Sequence, residues 1–483
     1  MALRLTRRKS LKVGLSGLSI VSANSSLSHS KDRVDVTVIG AGLSGLYSAM
    51  LLEEQGFKVR VVEATNEIGG RVKSKNINGH IQELGASDIG IMYARVVDVA
   101  DKLGLERVPT DIKVHPFSYY VRDNLVNLNN WETSNFNKTL GEERSIPPSR
   151  LLMTYLFKYN PLKSLEDWLD PRFSHLDIPL EDYLKEKGIS DEALRLMNVD
   201  VNCSDIRYSS ALSRFADIAR LQFGGYLNAS KEQYGSDAVI LGKIKGGNQR
   251  LPEAMAESLQ GNVYLNSIVR SIEFSKKEYE IKCENGKSYS SKFIVITTPL
   301  TSLKNIKFSP LLPKEKMSAI QEARYSGVAK IYLNIKSPFW DQDGFPASMW
   351  TDTPIERVFV RKEPDGSSQN IIIWVNGDTT KKIDSVPKNE MKEYILNLLA
   401  KIRPSTKGKL EVIDSYSWSA NRFGMGDSYD YGPGHITKFS KAISSSFNGL
   451  FFAGEHTRNL DLGMEAAMAS SERVVSEILD KTS

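Results

Sequence analysis

A glycine-rich stretch early in the chain decides the fold, and it reads Val34-Asp35-Val36-Thr37-Val38-Ile39-Gly40-Ala41-Gly42-Leu43-Ser44-Gly45. Residues 34–39 form a short run rich in β-branched side chains, which is typical of a buried parallel strand. Residues 46–55, which follow the glycines, have helical spacing. The stretch therefore predicts a strand, a tight turn and a helix, the opening unit of a dinucleotide-binding fold.

The three glycines of this stretch have separate physical tasks. Gly40 permits the tight turn after the strand, Gly42 lets the backbone approach a pyrophosphate, and Gly45 lets helix and strand pack closely. Ser44 lies beside them at the start of the helix, where unpaired N–H groups and a partial positive charge favour phosphate. We therefore expect these four residues to belong to a dinucleotide site.

An acidic residue follows at the end of the next predicted strand, residues 58–62. Glu63 comes 18 residues after Gly45. At this spacing a carboxylate can bind both hydroxyls of an adenosine ribose, and it would repel the extra phosphate of NADP. Glu63 and its neighbour Ala64 are therefore placed in the nucleotide site.

Two glycines and an arginine lie just beyond the acid, in the stretch Glu67-Ile68-Gly69-Gly70-Arg71-Val72. Gly70 permits close backbone approach, and the Arg71 cation can pair with a pyrophosphate, which favours FAD over NAD. The run from Ile39 to Arg71 resembles the N-terminal signature of the flavin-containing amine oxidase family. Members of that family include monoamine oxidases, polyamine oxidases and L-amino-acid oxidases.

The resemblance continues along nearly the whole chain. Residues 82–87 resemble the segment that passes beside the isoalloxazine ring of the flavin. Residues 246–251 resemble a glycine pair before a helix, and residues 294–300 resemble the strand that re-enters the FAD domain. The FAD contacts that the resemblance implies in these segments and in the adenine-contacting strand are Gly85, Ala86, Ser87 and Val269.

The C-terminal stretch completes the resemblance. Residues 451–457, Phe-Phe-Ala-Gly-Glu-His-Thr, match the second flavin motif, and Gly463 opens a helix that we expect to run to about Leu479. The positive end of this helix would face the flavin edge that becomes negative on reduction. Taken alone, the same segment could be an amphipathic surface helix. The FAD contacts implied here are Gly454, Glu455, Met464 and Ala467.

The resemblance also implies the fold class. We expect an α/β protein in which a Rossmann-like FAD-binding domain, carrying the GxGxxG turn, is interleaved with an α+β substrate-binding domain. The second domain would contain a mixed sheet and a helical subdomain. The expected segments are 34–90, 236–305 and 445–483 for the FAD domain, and 91–235 (mainly helical) and 306–444 for the substrate-binding domain.

Two side chains are candidates for catalysis. Lys330 matches the family lysine that holds a water next to flavin N5, and the alternative is an edge charge on an apolar strand. Trp418 matches the tryptophan packed against the flavin, and the alternative is plain burial in the core. The resemblance implies that a hydride equivalent moves from the carbon bearing a neutral amine to the flavin.

The expected substrate wall departs from the family pattern. Family members often place two aromatic side chains on one face of the flavin, and the matching positions here are Ser428, or Tyr429 one residue on, and Gly463. At least one wall of that aromatic cage is therefore missing. Either a bulkier substrate fills the gap, or Tyr429 or Tyr431 replaces the lost ring.

A carboxylate stands where the L-amino-acid oxidases of the family carry an arginine for the substrate carboxylate. That residue is Asp88, which would repel a carboxylate and attract a cation. It favours an amine, including a di- or polyamine, over an amino acid. Two alternatives remain open, because Arg422 could bind a carboxylate instead and Asp88 could cap the helix that follows.

Cysteine and charge usage exclude other classes of site. The two cysteines, Cys203 and Cys283, give neither a disulfide framework nor metal-ligand spacing, and no metal is expected. Residues 419–431 contain no cysteine, so we expect noncovalent FAD.

Five basic residues and no acidic one occur in residues 1–23; without them the 63 basic residues fall to 58, equal to the 58 acidic residues. This balance argues against a nucleic-acid surface.

The first 30 residues resemble an export signal. They contain Arg7-Arg8, a weakly apolar stretch from Val13 to Val21 and a small-residue exit at Ala23. This pattern is typical of a twin-arginine signal and predicts a periplasmic protein. The alternative is a disordered basic tail on a cytoplasmic protein. No apolar run is long enough to span a bilayer, so stable membrane insertion is not expected.

Together these patterns predict an FAD-dependent amine oxidase. Its expected partners are a small-molecule amine and an electron acceptor, either O2, which would give hydrogen peroxide, or a cytochrome; a homodimer is also considered. Three alternatives stay open: an L-amino-acid oxidase, a flavoprotein desaturase and a flavin-binding scaffold without turnover. A retained Lys330 argues mildly against the desaturase, and the complete cofactor motifs argue against the scaffold.

Overall fold

The structure, a computed structural model, describes residues 33–110, 113–362 and 368–483. The predicted export signal, residues 1–30, lies outside the described residues. The strands are β1 (Val34–Ile39), β2 (Val59–Val62), β3 (Ser74–Ile77), β4 (His80–Glu83), β5 (Ile89–Gly90), β6 (Arg107–Pro109), β7 (Lys113–Val114), β8 (Phe117–Val121), β9 (Asn124–Val126), β10 (Leu241–Ile244), β11 (Val263–Tyr264), β12 (Val269–Ser275), β13 (Glu278–Cys283), β14 (Ser288–Ile296), β15 (Lys307–Ser309), β16 (Arg324–Tyr325), β17 (Val328–Ile335), β18 (Ser348–Thr351), β19 (Arg357–Lys362), β20 (Ser368–Asn376), β21 (Leu410–Ser417), β22 (Tyr429–Asp430) and β23 (Leu450–Phe452).

Helices connect and cover these strands. The α-helices are α1 (Leu43–Glu54), α2 (Ala94–Lys102), α3 (Pro148–Tyr159), α4 (Leu180–Glu186), α5 (Asp191–Met197), α6 (Ala211–Phe223), α7 (Lys231–Tyr234), α8 (Arg250–Ser258), α9 (Leu300–Leu303), α10 (Lys314–Glu322), α11 (Trp340–Asp343), α12 (Thr379–Asp384), α13 (Met391–Ile402), α14 (His435–Ser444) and α15 (Gly463–Thr482). Short 3-10 helices occur at Leu128–Asn130, Gly141–Ser145, Asp167–Leu169, Pro171–Leu176, Pro404–Thr406 and Glu455–Thr457.

The first sheet has the predicted Rossmann-like arrangement. Its parallel part runs in the order β11, β2, β1, β14, and β23 pairs in parallel with the C-terminal half of β14. Strands β13 and β12 extend β14 as an antiparallel meander. The strand before the glycine turn, the re-entering strand and the C-terminal flavin motif therefore lie side by side in one sheet.

The glycine turn joins β1 to α1 as predicted, although the helix begins earlier. It starts at Leu43 rather than Leu46, because the extended backbone of Gly42 provides the N-cap. A Cβ at Gly45 would overlap the carbonyl oxygen of Gly40, so only glycine permits this approach of helix to strand. Helix α15 packs on the other side of α1, where the hydroxyl oxygens of Ser44 and Ser470 lie 3.3 Å apart.

The second large sheet is mixed, also as predicted. Its order is β21, β17, β20, β19, β18, β8, β9, with β18 and β8 parallel and the other neighbours in this path antiparallel. The predicted strands 329–333 and 370–375 lie within β17 and β20, which are neighbours. Since β17 has a partner on each side, Lys330 is not an edge charge, and that alternative is wrong.

Helices dominate residues 91–235, as expected. Two elements, however, do not follow the predicted division between the FAD-binding and substrate-binding domains. Helices α3 to α6 pack together, as expected for a helical subdomain. Helix α2 instead packs on α15, and its residues Val96, Val99 and Ala100 join the FAD-side core. Strand β15 pairs with β12 and so extends the FAD-side sheet past residue 305. In the described part of the chain no helix has the length and apolar character needed to cross a membrane.

We predict that Gly45→Ala destabilises the cofactor-free protein by about 1–3 kcal/mol, because the added methyl group meets backbone that cannot move freely. Gly42→Ala is the matched control, since a Cβ there meets only the Gly69 carbonyl oxygen, at 3.8 Å. Urea unfolding of the two variants and the wild type measures the difference. Equal loss of stability in both variants would contradict this account of Gly45.

Candidate active site

One cavity of about 1040 Å³ lies between the two sheets and collects most of the predicted site. Gly45 is not on its wall, because its task is helix packing, and Asp88 is not on its wall either. The predicted residues that line the cavity are Gly40, Gly42, Ser44, Glu63, Ala64, Gly70, Arg71, Gly85, Ala86, Ser87, Val269, Lys330, Trp418, Ser428, Tyr429, Gly454, Glu455, Gly463, Met464 and Ala467.

The nucleotide end of the cavity is fixed by Glu63. One carboxylate oxygen accepts a hydrogen bond from the Ala41 N–H at 2.8 Å, and the other accepts from the N–H and the hydroxyl of Thr65, both at 2.8 Å. These bonds hold the carboxylate at the end of β2, where the sequence places a ribose. Val269 lies on the same wall, at the start of β12.

The phosphate region is shaped by glycines. Gly40 and Gly70 have positive φ angles, +111° and +58°, which favour glycine. Next to them, the position of a Cβ at Gly42 is open on the cavity side. This cradle, with the N-terminus of α1 at its base, fits a pyrophosphate, because a larger side chain would fill the space.

Arg71 is held at the cavity wall by the C-terminal motif. Its Nη1 donates to the Asp427 carbonyl oxygen at 2.8 Å and lies 3.2 Å from a carboxylate oxygen of Glu455. The other Glu455 oxygen accepts from Arg458 at 2.7 Å. Glu455 near the C-terminus thus positions Arg71 near the N-terminus. The role of Arg71 toward a pyrophosphate stays a prediction.

The positive end of α15 meets the same cavity. The helix begins at Gly463, and Met464 and Ala467 in its first turns are wall residues. Because a helix N-terminus carries partial positive charge, it can stabilise negative charge that develops on a bound ring system. The surface-helix alternative is not supported, since Met464 and Ala466 are buried.

Lys330 lies on the cavity wall with only 4% of its surface exposed. Its Nζ donates to the carbonyl oxygens of Glu83 at 2.9 Å and Gly85 at 3.2 Å. Burial lowers the pKa of Lys330 to about 8, although nearby carboxylates, Asp427 first among them, act in the opposite direction. In the neutral form the two carbonyls use both N–H groups, so the lone pair is left for another donor.

Two aromatic side chains flank Lys330, and sequence reasoning missed both. Lys330 pairs in register with Trp374 on β20 and with Tyr416 on β21, so the three side chains share one face of the sheet. The ammonium nitrogen lies 4.4 Å from the centre of the Trp374 ring. Trp374 falls inside a predicted strand, but only the strand register reveals that it lies opposite the lysine.

Trp418 is both buried and on the cavity wall. Its Nε1 donates to the Leu84 carbonyl oxygen at 2.9 Å, and its ring meets the Tyr416 ring edge-on at 5.1 Å. A Cβ at Gly85 would lie 1.9 Å from the Arg71 carbonyl oxygen and 3.0 Å from the Trp418 ring, so glycine at 85 allows both to approach this segment. Trp418 is therefore buried and also lies against residues 84 and 85, the segment predicted to pass beside the flavin.

The positions of the expected aromatic cage are partly occupied. Tyr429 lines the cavity, whereas Tyr431 does not, and the two rings pack edge-on at 4.7 Å. At Gly463 a Cβ would lie 3.3 Å from the hydroxyl oxygen of Tyr93, so the Tyr93 side chain occupies the space next to this glycine. Tyr429 is therefore the available replacement for a lost ring on this wall, and no side chain projects from Gly463.

Asp88 is not among the residues that line the cavity, although its carboxylate acts electrostatically on Lys330. One carboxylate oxygen accepts from the Ser87 hydroxyl at 3.0 Å, and the other is buried. Asp88 does not cap α2, whose N-cap is Tyr93, so that alternative is wrong. The partly exposed acid that sequence reasoning missed on this wall is Asp217 of α6, which carries no motif of its own.

Arg422 lies at an exposed part of the cavity wall, and the two cysteines do not line the cavity. Arg422 is on the cavity wall, but its side chain is 65% exposed and lies 3.7 Å from Glu284. Cys203 and Cys283 are buried, and neither lines the cavity. Within residues 33–110, 113–362 and 368–483, no cluster of histidine, cysteine, aspartate and glutamate side chains could hold a metal ion.

We predict that the effect of Lys330→Met on stability depends on pH. The pKa of Lys330 is lowered in the folded state, so burying its charged form reduces the free energy of unfolding. This destabilisation is complete below about pH 8 and disappears as pH rises toward 10.5, the pKa in the unfolded state. The stability of the variant relative to the wild type should therefore be more favourable at pH 7 than at pH 10, by about 1–3 kcal/mol. Urea unfolding of cofactor-free protein at both pH values measures this. A difference that does not change with pH would contradict the lowered pKa.

Comparisons with known proteins agree with this geometry. The sequence model for flavin containing amine oxidoreductase matches residues 43–479. An L-amino-acid oxidase from Siganus canaliculatus is 25% identical over 474 residues, which cover 94% of this chain and 87% of the relative. Amine oxidase [flavin-containing] B from Sus scrofa is 24% identical, covering 92% and 86%.

Solved structures share the fold. Putrescine oxidase bound to putrescine superposes with a TM-score of 0.73 and 18% identity, covering 93% of this chain and 99% of the other. Cyclohexylamine oxidase from Brevibacterium oxydans gives a TM-score of 0.74 and 21% identity, with the same coverage. The family match spans most of the chain and includes both halves of the cavity wall, and family members use a flavin cofactor. The chain belongs to the flavin-containing amine oxidoreductase family and is an oxidoreductase that acts on C–N bonds.

Proposed function

We propose that the protein is an FAD-dependent oxidase of primary or secondary amines, including di- and polyamines. The product is an imine, which water converts to an aldehyde or ketone plus ammonia or amine. The electron acceptor is O2, which yields hydrogen peroxide, and a cytochrome is the alternative. One observation carries the proposal: Lys330, Trp374 and Tyr416 line the same cavity as the nucleotide cradle.

The protein residues fit the needs of amine oxidation. When bound, the flavin accepts a hydride equivalent from the carbon that carries the amine. Aromatic rings on both sides of Lys330 exclude water from this part of the wall and offer apolar surface to a carbon chain. Neutral Lys330 has a lone pair that can hold a water or take up a proton, because its N–H groups are used by Glu83 and Gly85.

Cofactor attachment and location complete the proposal. We propose noncovalent FAD, supported by the burial of both cysteines away from the cavity. We also propose export to the periplasm through residues 1–30, with a cytoplasmic location as the alternative. Oxidation of an L-amino acid is the second candidate function, because a relative with that activity aligns over nearly the whole chain.

The test is an anaerobic titration of the purified holoenzyme with alkylamines, diamines and L-amino acids. The absorbance of the flavin reports its reduction by each compound. We expect amines to bleach the flavin and L-amino acids to leave it oxidised. Bleaching by amino acids alone would move the assignment to the second candidate. Bleaching by none would contradict the proposal and favour a desaturase or a scaffold.

Lys330→Met should slow flavin reduction or reoxidation by roughly 100- to 10,000-fold while FAD stays bound, because a positioned acid–base group contributes in this range. Lys336→Met is the control, since it removes an exposed lysine immediately after the same strand. Stopped-flow absorbance measures both half-reactions. Unchanged rates in the Lys330 variant would remove this residue from the mechanism.

A further inference from the structure

A buried acid, Glu356, directly precedes β19 and does not line the cavity. Only 4% of its surface is exposed, and its φ angle is +42°, in the left-handed region that residues with side chains rarely adopt. Burial raises the pKa of Glu356 to about 7, although hydrogen bonds from Thr379 and Asn376 act in the opposite direction. A strained backbone and a buried carboxyl group both cost stability, and backbone strain of this kind concentrates at functional sites.

The Glu356 carboxylate binds the end of β20. Its Oε2 accepts a hydrogen bond from the backbone N–H of Asn376 at 2.7 Å and lies 3.4 Å from Asn376 Nδ2. Asn376 is itself 4% exposed, and it lines the cavity between the two sheets. Its Nδ2 also lies 3.5 Å from the Val199 carbonyl oxygen, so its amide donors point toward protein acceptors. The acid therefore fixes both the backbone and the side-chain amide of a wall residue.

The oxygen of the same amide holds Trp374, two residues earlier on β20. Trp374 Nε1 donates to Asn376 Oδ1 at 2.7 Å. The two side chains meet because residues i and i+2 of a strand point to the same face of the sheet. The Trp374 ring lines the cavity beside Lys330. A continuous chain of contacts thus runs from Glu356 through Asn376 and Trp374 to the lysine.

The hydrogen bond to Asn376 fixes a ring that has cations on both neighbouring strands. Trp374 pairs in register with Lys330 on β17 and with Arg357 on β19. The ring centre lies 4.4 Å from Lys330 Nζ and 5.9 Å from Arg357 Cζ. Attraction to a cation restrains the face of an aromatic ring, whereas a hydrogen bond from Nε1 fixes the direction of its edge. Without that bond the ring is free to turn between the two cations, and the wall beside Lys330 changes shape.

We propose that Asn376 is a positioning residue that sets the orientation of the Trp374 ring beside Lys330, and that Glu356 holds Asn376 in place for this task. This inference rests on the proposed amine oxidation and adds two residues to it. A ring held in one orientation keeps the substrate in one place relative to Lys330 and the bound flavin, and small displacements of a reacting group are costly to the rate. Asn376 needs no contact with the substrate, because it acts through Trp374.

The hydrogen bond itself is tested without substrate, by NMR of the indole N–H groups in holoenzyme labelled with 15N-tryptophan. The chain has six tryptophans, and Trp374→Phe identifies the Trp374 signal by its loss. We expect Asn376→Leu to move this signal and to speed the exchange of its N–H with water, while the other indole signals stay in place. Asn370→Leu is the matched control, since it replaces a buried asparagine of the same strand that does not line the cavity. An unchanged Trp374 signal in the Asn376 variant would overturn the inference.

Anaerobic stopped-flow reduction of the holoenzyme flavin by the most reactive amine tests the function. The readout is the limiting reduction rate per bound flavin, which partial unfolding of a sample does not change. We expect Asn376→Leu and Trp374→Phe each to lower this rate about tenfold or more. Glu356→Ala should have a similar effect, whereas Glu356→Gln, which keeps an acceptor oxygen, should retain most of the rate. Asn370→Leu should leave the rate unchanged.

A double-mutant comparison shows whether Asn376 acts through the ring. In the Trp374→Phe background, Asn376→Leu should change the rate less than about twofold, because residues that act as one unit have non-additive effects. If Asn376→Leu keeps the wild-type rate, or if its effect adds in full to that of Trp374→Phe, the role of Asn376 is overturned and amine oxidation stands.

The remaining outcomes separate the two proposals. If no amine reduces the wild-type flavin, amine oxidation fails, whereas the NMR comparison still decides whether Asn376 holds the ring. Should Asn376→Leu not fold, Trp374→Phe decides, because it removes the same hydrogen bond and keeps an aromatic ring. Wild-type rates in that variant would overturn the inference.

Discussion

The contact between the Gly40 carbonyl and helix α1 is the constraint on which the rest of the site depends. Because no side chain fits at Gly45, the helix begins directly above the strand, and its N-terminus forms the floor of a phosphate-sized cradle. The same packing sets the position of α15, which shares buried serine contacts with α1. The two positive helix ends therefore meet one cavity, although 420 residues separate Leu43 from Gly463.

The interleaved chain brings a second set of constraints to that cavity. Arg71 from the N-terminal motif donates hydrogen bonds to the Glu455 carboxylate of the C-terminal motif and to the Asp427 backbone carbonyl of the intervening domain. Lys330 makes an equivalent link between the domains. Its Nζ, on strand β17 of the second sheet, donates hydrogen bonds to the carbonyl oxygens of Glu83 and Gly85. The two domains are thus joined at the reacting end by charge-assisted hydrogen bonds. Such bonds fix geometry where apolar packing alone would tolerate movement.

Local patterns were sufficient to predict many of the residues that line the cavity, since the glycine turn, Glu63 and the C-terminal motif each occupy a short stretch of sequence. The substrate half was harder for a physical reason. Trp374 and Tyr416 become neighbours of Lys330 only through strand register, and Asp217 reaches the cavity through the packing of α6. Asp88 illustrates the same difficulty, because the resemblance implies a place near the substrate, while the residue is absent from the cavity wall and its carboxylate accepts a hydrogen bond from Ser87.

A crystal structure of the FAD-bound protein is the most direct test of this site. We expect adenosine at Glu63 and Val269, the pyrophosphate on the Gly42 cradle, and the isoalloxazine ring between Trp418 and the start of α15. Flavin N5 should face Lys330, joined to Nζ through one water. A flavin bound outside this cavity, or an isoalloxazine ring whose N5 faces away from Lys330, would contradict it.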